Sequence, residues 1–237
     1  MKRAVIKRVS GVLRSHGGLY CFCLLLLMVV GCYHRGEAVG SDAEKKLVFD
    51  RIAVVPFLQI VPEDQMGGAV RCPLCGITIN AVAAPGHPEK ALETLFLEEL
   101  HKNKPKFDLL GGERVAAVFR RVSANSLRSP LRQVLRDVGS ELGAEAVAVG
   151  YVYRFRERKG VAYSVEAPAS VTFEIHLLRV SDGELVWRGF VDKTQSSLME
   201  DLFQISSFYR GKGRWVTATE LMGEGLEKML KTFPGLP

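Results

Sequence analysis

Val147-Ala148-Val149-Gly150-Tyr151-Val152-Tyr153-Arg154-Phe155-Arg156 is the stretch on which the fold turns. Its odd positions carry Val, Val, Tyr, Tyr and Phe, whereas the even ones are small or polar apart from Val152. A period of two is the pleat of a β-strand, so one face is bulky and the other is thin at its start, where a helix can approach closely.

Downstream the alternation repeats. Val171, Phe173, Ile175 and Leu177 oppose Thr172, Glu174 and His176. Ser181-Asp182-Gly183-Glu184 follows as a hairpin turn in which Gly183 can take a positive φ, and Leu185 to Val191 returns as the next strand. Upstream, Arg51-Ile52-Ala53-Val54-Val55-Pro56-Phe57 is a short apolar run of the kind buried on both faces, with Pro56 at its end. Phe107 to Leu110 is a second short strand closed by Gly111-Gly112.

Helices fill the intervals. Pro88 suits a first helical turn, and Ala91, Leu92, Leu95, Phe96 and Leu100 then share a face that ends near Lys104-Pro105. Glu113 to Val122 turns Val115, Val118, Phe119 and Val122 inward. A further helix takes Ser129 as N-cap and Pro130 as first residue, buries Leu131, Val134, Leu135, Val138 and Leu142, and stops at Gly143. An apolar helix over Leu198 to Tyr209 and an amphipathic one over Thr217 to Leu230 complete the order. Pro62 to Pro85 reads as a long loop with a short strand at Ile77 to Ile79. The expectation is one α/β domain of two or three layers, residues 47–237, with a mixed sheet and a C-terminal antiparallel meander flanked by helices.

The N-terminus carries a different signal. Lys2, Arg3, Lys7, Arg8 and Arg14 precede an apolar run that ends Leu27-Met28-Val29-Val30-Gly31-Cys32. That core, from Leu19 to Val30, is about twelve residues, within a signal h-region and short of the roughly 20 a transmembrane helix needs. Residues 1–31 therefore look like a lipoprotein signal peptide. Gly31 is the small residue before the cut, and Cys32 would carry a diacylglycerol thioether and an N-acyl chain such as palmitate. Several acyl chains hold a protein stably on a membrane where one does not. Residues 32–46, polar and aperiodic, read as a flexible tether.

Processing changes the charge. Of the 32 Lys+Arg in the chain, five lie before Cys32 with no acid, which leaves 27 against 26 Asp+Glu, a formal +1 in place of +6. The basicity that would suggest nucleic-acid binding belongs to the leader. No nucleic-acid partner is expected.

Three phrases go further: Arg51 to Phe57 (RIAVVPF), Leu142 to Phe155 (LGAEAVAVGYVYRF) and Leu177 to Gly189 (LLRVSDGELVWRG). In that order, behind a lipobox, they resemble a group of envelope α/β domains. The group includes the curli-secretion lipoprotein, the outer-membrane lipoprotein activators of penicillin-binding proteins, and the N-terminal domain of the Tol–Pal propeller protein. The resemblance spans residues 47 to 195 and describes buried strands and a turn. It implies a lipidated, non-enzymatic scaffold or adaptor in envelope assembly or secretion, facing the periplasm, with envelope proteins as partners and homo-oligomerisation open. Tyr33, in place of Asp after the lipidated cysteine, favours the outer membrane under the sorting rule of enteric bacteria. The paired membrane-spanning hairpins of pore-forming members have no counterpart in the sequence.

One constellation could carry chemistry: Cys72-Pro73-Leu74-Cys75-Gly76. A Cys-Pro-x-Cys-Gly turn resembles the metal knuckles of rubredoxins and zinc ribbons, but a complete site needs four ligands. His87 and His101 could supply two more, but Cys-x2-Cys-x11-His-x13-His is not a trustworthy ligand spacing; a dimer could also join two half-sites. Cys72 and Cys75 are also the only cysteines left once the leader, with Cys21 and Cys23, is removed and Cys32 is lipidated, and an oxidising compartment permits a disulfide staple. The structural staple is the favoured reading; a metal half-site, with zinc as the metal, belongs to the rival metal-binding or redox class. The residues after Cys75 lack the helical pattern a thioredoxin-like site requires.

Other residues have plain explanations. His176 falls on the polar side of its strand, where solvent is expected. Arg154, Arg156, Arg158 and Lys159 around Glu157 read as a charged hairpin tip. Trp187 reads as core, and Phe203, Phe208, Tyr209 and Trp215 form a candidate partner-contact region. No phosphate-cradling loop, acid pair or serine elbow is present, so no catalytic residues are assigned.

Overall fold

In the computed structural model, β6 (Ala146–Arg156) is the strand around which the sheet is built. Its eleven residues are long enough to serve three neighbours. Along one edge Ala146 to Ala148 pair in parallel with β1 (Arg51–Val54), and Tyr151 and Val152 pair with β2 (Leu58–Gln59). Along the other edge β6 runs antiparallel to β9 (Ser170–Arg179), which pairs with β10 (Leu185–Thr194). β5 (Asp108–Leu110) closes the far side in parallel with β1. The spatial order is β10-β9-β6-β1-β5, a mixed sheet as expected. The described residues are 48–64, 67–103, 107–161, 164–195 and 215–236. They fall within the compact unit Lys46–Pro237.

Both faces of this sheet are covered. On one side lie α1 (Pro88–Asn103), presenting Leu92, Phe96 and Leu100, and α4 (Ala218–Leu230), presenting Leu221, Met222 and Leu226. They meet the thin face of β6, namely Ala146, Ala148 and Val152. Gly150 shows why that face is thin: a Cβ there would sit 2.4 Å from a ring carbon of Phe57. On the other side α2 (Gly112–Asn125) and α3 (Leu131–Leu142) pack on the bulky face, Val147, Val149, Tyr151 and Tyr153. The result is a three-layer α/β arrangement.

Element ends follow local chemistry. Gly143 terminates α3 in the left-handed region, at φ 65°. Thr217 and Glu220 form a capping box at the start of α4. The expected start of α3 shifts by one residue: Pro130, with an extended ψ of 142°, is the N-cap and Leu131 the first helical residue.

Two expectations are corrected more substantially. The segment Pro62 to Pro85 is not simply a loop. It contains an antiparallel hairpin, β3 (Gly68–Arg71) and β4 (Thr78–Ala81), whose turn is Cys72 to Ile77. Val82 then donates its N–H to the Tyr153 carbonyl at 2.8 Å, and Cys72, Leu74, Ile79 and Ala81 of the hairpin pack with the bulky face of β6. The basic stretch is likewise tied down rather than a free tip: Arg154 pairs with Asp192, Arg158 donates to the Trp215 carbonyl at 3.0 Å, and Glu157 accepts from the Ala218 N–H. A small hairpin of β7 (Lys159–Val161) and β8 (Ser164–Ala167) follows it.

Trp187 is half-buried, stacked edge-on against Phe233 at 4.9 Å with its indole N–H on Thr232. Trp215 is half-buried as well. The leader, Cys32, the tether and the Leu198 to Tyr209 segment with Phe203, Phe208 and Tyr209 lie outside the described residues. No helix among the described residues is long and apolar enough to cross a membrane.

Candidate functional site

The β3–β4 turn sets one half of the site. Cys72 opens the turn, its N–H bonded to the Ile77 carbonyl at 2.9 Å and its carbonyl accepting from Gly76 at 3.0 Å. Gly76 takes φ 72°, a left-handed conformation that L side chains adopt with strain, and so reverses the chain just after Cys75. This folds the backbone around the first sulfur. The N–H groups of Leu74 and Cys75 both point at Cys72 Sγ, at 3.4 and 3.3 Å.

The other half comes from the middle of the sheet. Glu174 and His176 are two residues apart on β9 and therefore share a face. They sit opposite Tyr151 and Val149 of β6, and His176 faces Arg188 of β10. Solvent was expected around His176. Instead both Glu174 and His176 have no exposed surface, because the cysteine hairpin and Tyr151 and Tyr153 cover this face. The alternation marked the pleat correctly, but a sheet covered on both sides buries its polar face as well.

The two halves meet. Cys72 Sγ is 3.4 Å from His176 Nε2, and the same nitrogen is 3.3 Å from Glu174 Oε1. One ligand atom from each of Cys72, Cys75, Glu174 and His176 lies within 4.8 Å of every other. Tyr153 donates its hydroxyl to Glu174 Oε1, and Arg188 holds Oε2 through Nε at 2.8 Å and Nη2 at 2.7 Å. Both cysteines are free thiols, Cys72 buried and Cys75 partly exposed. His87 and His101 are exposed and take no part; His87 pairs with Glu89 instead.

The electrostatics follow from this crowding. Burial drives the Glu174 carboxyl upward, but hydrogen bonds from His176, Cys72 and Tyr153 prevail and hold it at about 2. For His176 burial works against the charged ring, yet its contacts with Cys72 and Glu174 raise it above the ordinary imidazole value. Burial is the main cause that lifts both tyrosines, reinforced for Tyr153 by its bond to Glu174 and for Tyr151 by the Cys72, Glu174 and Cys75 charges. In this cluster Tyr151 Oη and His176 Nδ1 are buried and have no hydrogen-bond partner among the described residues.

A thiol, an imidazole and a carboxylate invite comparison with a nucleophilic triad. The geometry argues against it. In a triad the base contacts the nucleophile through one ring nitrogen and the acid through the other, whereas here both contacts converge on Nε2. Cys72 is also only 3% exposed. Convergence on one point suits a shared ion.

Sequence reading found the cysteine pair and missed Glu174, His176, Tyr151, Tyr153 and Arg188. A signal did exist in the Glu-x-His spacing, which puts two ligand-type side chains on one strand face. Nothing local, however, tied that strand to a turn about a hundred residues earlier.

No family model matches the chain, and no curated protein matches it. Among solved structures it is similar to the PelC dodecamer from Paraburkholderia phytofirmans, at 14% identity over 79% of this chain and 89% of that one, with a TM-score of 0.46. It is also similar to lipoprotein GNA1162 from Neisseria meningitidis, at 13% identity over 68% and 98% of the two chains and a TM-score of 0.37. For the C-terminal domain of LpoB from Escherichia coli the values are 15%, 66%, 90% and 0.34. At these identities and TM-scores the likeness carries no argument about activity.

Proposed function

We propose that this chain is a lipid-anchored, periplasm-facing lipoprotein, attached through Cys32 to the outer membrane, that acts as a non-enzymatic scaffold or adaptor in envelope assembly or secretion. The observation that carries the reading is Gly31-Cys32 at the end of a short apolar run behind five basic residues. A thioether-linked diacylglycerol and an N-acyl chain together give the stable attachment that one chain does not. The polar residues up to Lys46 supply the reach, and the fold beyond them supplies the contact surface.

The described residues support a contact role over a catalytic one in one respect. In the cluster of Cys72, Cys75, Glu174 and His176 beneath the hairpin, all but the partly exposed Cys75 are buried, which shields Cys72 and His176 from substrate-sized molecules. Trp215 lies beside the start of α4 and stands as a candidate contact residue together with Phe203, Phe208 and Tyr209.

The anchor is tested by Cys32→Ala, with metabolic incorporation of labelled palmitate and fractionation of inner and outer membranes. The wild-type chain should incorporate label and sediment with the outer membrane, and the variant should do neither as a processed protein. Unchanged membrane attachment of a fully cleaved Cys32→Ala chain would overturn the lipoprotein assignment. For the adaptor role, crosslinking in the native envelope should capture defined protein partners; capture of lipid alone would remove its support.

A further inference from the structure

We propose that Cys72 and Cys75 of the β3–β4 turn, together with His176 and Glu174 of β9, bind one zinc ion in a closed structural site that pins the hairpin onto the sheet. The proposal does not depend on the lipoprotein reading. It concerns how the folded body holds together.

Distances come first. A tetrahedral zinc ion with its usual bond lengths places a thiolate sulfur and an imidazole nitrogen about 3.5 Å apart, and an imidazole nitrogen and a carboxylate oxygen about 3.4 Å apart. The observed separations are 3.4 Å for Cys72 Sγ to His176 Nε2 and 3.3 Å for His176 Nε2 to Glu174 Oε1. These two separations match an inner coordination sphere, and the fourth donor, Cys75 Sγ, lies within 4.8 Å of the other three. Two sulfurs, one nitrogen and one oxygen form a set suited to zinc and unsuited to magnesium or calcium, which take oxygen ligands.

Charge points the same way. With zinc bound, the two thiolates and the Glu174 carboxylate would place three negative charges in a buried space, where unpaired charge is strongly disfavoured. A divalent cation and the Arg188 guanidinium, 2.7 Å from Glu174 Oε2, cancel them. Binding releases the two thiol protons to solvent, together with the imidazolium proton wherever His176 is protonated, and no redox change takes place.

The surroundings resemble an outer shell. Tyr153 donates to Glu174 Oε1 and Arg188 fixes Oε2, so the carboxylate is oriented by two residues outside the ligand set. The Leu74 and Cys75 amides aim at Cys72 Sγ. Tyr151 Oη, buried and without a hydrogen-bond partner among the described residues, lies on the same face of β6.

The site also has a mechanical rationale. β3 and β4 form a two-stranded hairpin of four residues each, and such a hairpin is marginal alone. Its turn donates two ligands and the sheet the other two. A shared ion joins them across the hairpin–sheet contact.

The test uses the full-length protein, extracted in detergent and purified without chelator with free thiols alkylated at lysis. Elemental analysis should find about one zinc per chain, with Cys72 and Cys75 protected from the alkylating reagent until a chelator is added. Cys75→Ser, at the partly exposed position, should lose the zinc while remaining membrane-attached. Because a variant can lose metal by misfolding, the wild-type protein is also stripped and titrated with Co²⁺. Binding should produce strong thiolate-to-cobalt charge-transfer absorption that excess Zn²⁺ abolishes. Absence of stoichiometric zinc together with absence of that absorption would overturn the proposal, as would a Cys72–Cys75 disulfide in the freshly extracted protein or zinc retained by Cys75→Ser. Membrane attachment is read separately, so failure of the metal site and failure of the lipid anchor are distinguishable.

Discussion

Cys72 Sγ and His176 Nε2 meet at 3.4 Å although 104 positions separate them in the chain. The pairing rests on two geometric facts. The pleat of β9 sends His176 to the same face as Tyr151 and Tyr153, and the β3–β4 hairpin crosses that face with its turn directed at the histidine. Neither half is a site alone.

Removing the Tyr153 hydroxyl isolates the outer shell. Tyr153→Phe keeps the buried ring but loses the bond to Glu174 Oε1. If zinc is held as proposed, its affinity should fall about 10- to 100-fold. Competition against a chromophoric chelator reads the change, and an unaltered affinity would place Glu174 outside the coordination sphere.

Gly150 is required by the ring of Phe57. Gly150→Ala forces a Cβ to within 2.4 Å of it and should destabilise the fold by about 1–3 kcal/mol through overpacking. Denaturant unfolding measures the loss. In the background of Phe57→Leu the cost of Gly150→Ala should shrink, because the clashing ring is gone; equal costs in both backgrounds would refute the explanation.

Thr217 caps α4 by accepting the Glu220 N–H at 3.1 Å, while Glu220 returns a bond to the Thr217 N–H at 2.8 Å. Thr217→Ala should cost about 1 kcal/mol of stability. Thr217→Ser should restore most of it. A loss of similar size in both variants would show that the methyl group, not the cap, matters.

Asp182 gives the β9–β10 turn a pH response. Its carboxylate accepts from Arg179 and from the Glu184 N–H, which hold its pKa below the usual carboxylate range. The folded value is depressed, so the contribution to stability is complete above the unfolded value of about 3.9 and is lost as pH falls through the folded one. Side-chain NMR titration should show Asp182 titrating low, and Arg179→Gln should move it upward. Both groups face solvent, so the associated change in unfolding free energy should be small.

The strand and helix pattern was legible because each element has a local cause. The alternation at Val147 to Phe155 sets the pleat of β6, Gly143 stops α3, and Pro88 opens α1. The mixed sheet with its antiparallel meander followed from those segments and the turn at Gly183. The hairpin at residues 68–81 was less visible: its strands are four residues long and carry Arg, Thr and Asn among their apolar positions.

Local chemistry alone thus determined the strand faces, the helices to within a few residues at their ends, and the Cys72/Cys75 knuckle, because each depends on residues within a few positions of one another. It also marked Cys32 as the expected lipidation site. The environment of Glu174 and His176 was settled only by long-range packing. The same alternation occurs in a strand with one wet face and in a strand covered on both sides, and what covers it comes from elsewhere in the chain. Only when β3 and β4 lie across β6 does a histidine on the polar side of a strand become a buried neighbour of two thiols, and a two-cysteine turn acquire its missing ligands.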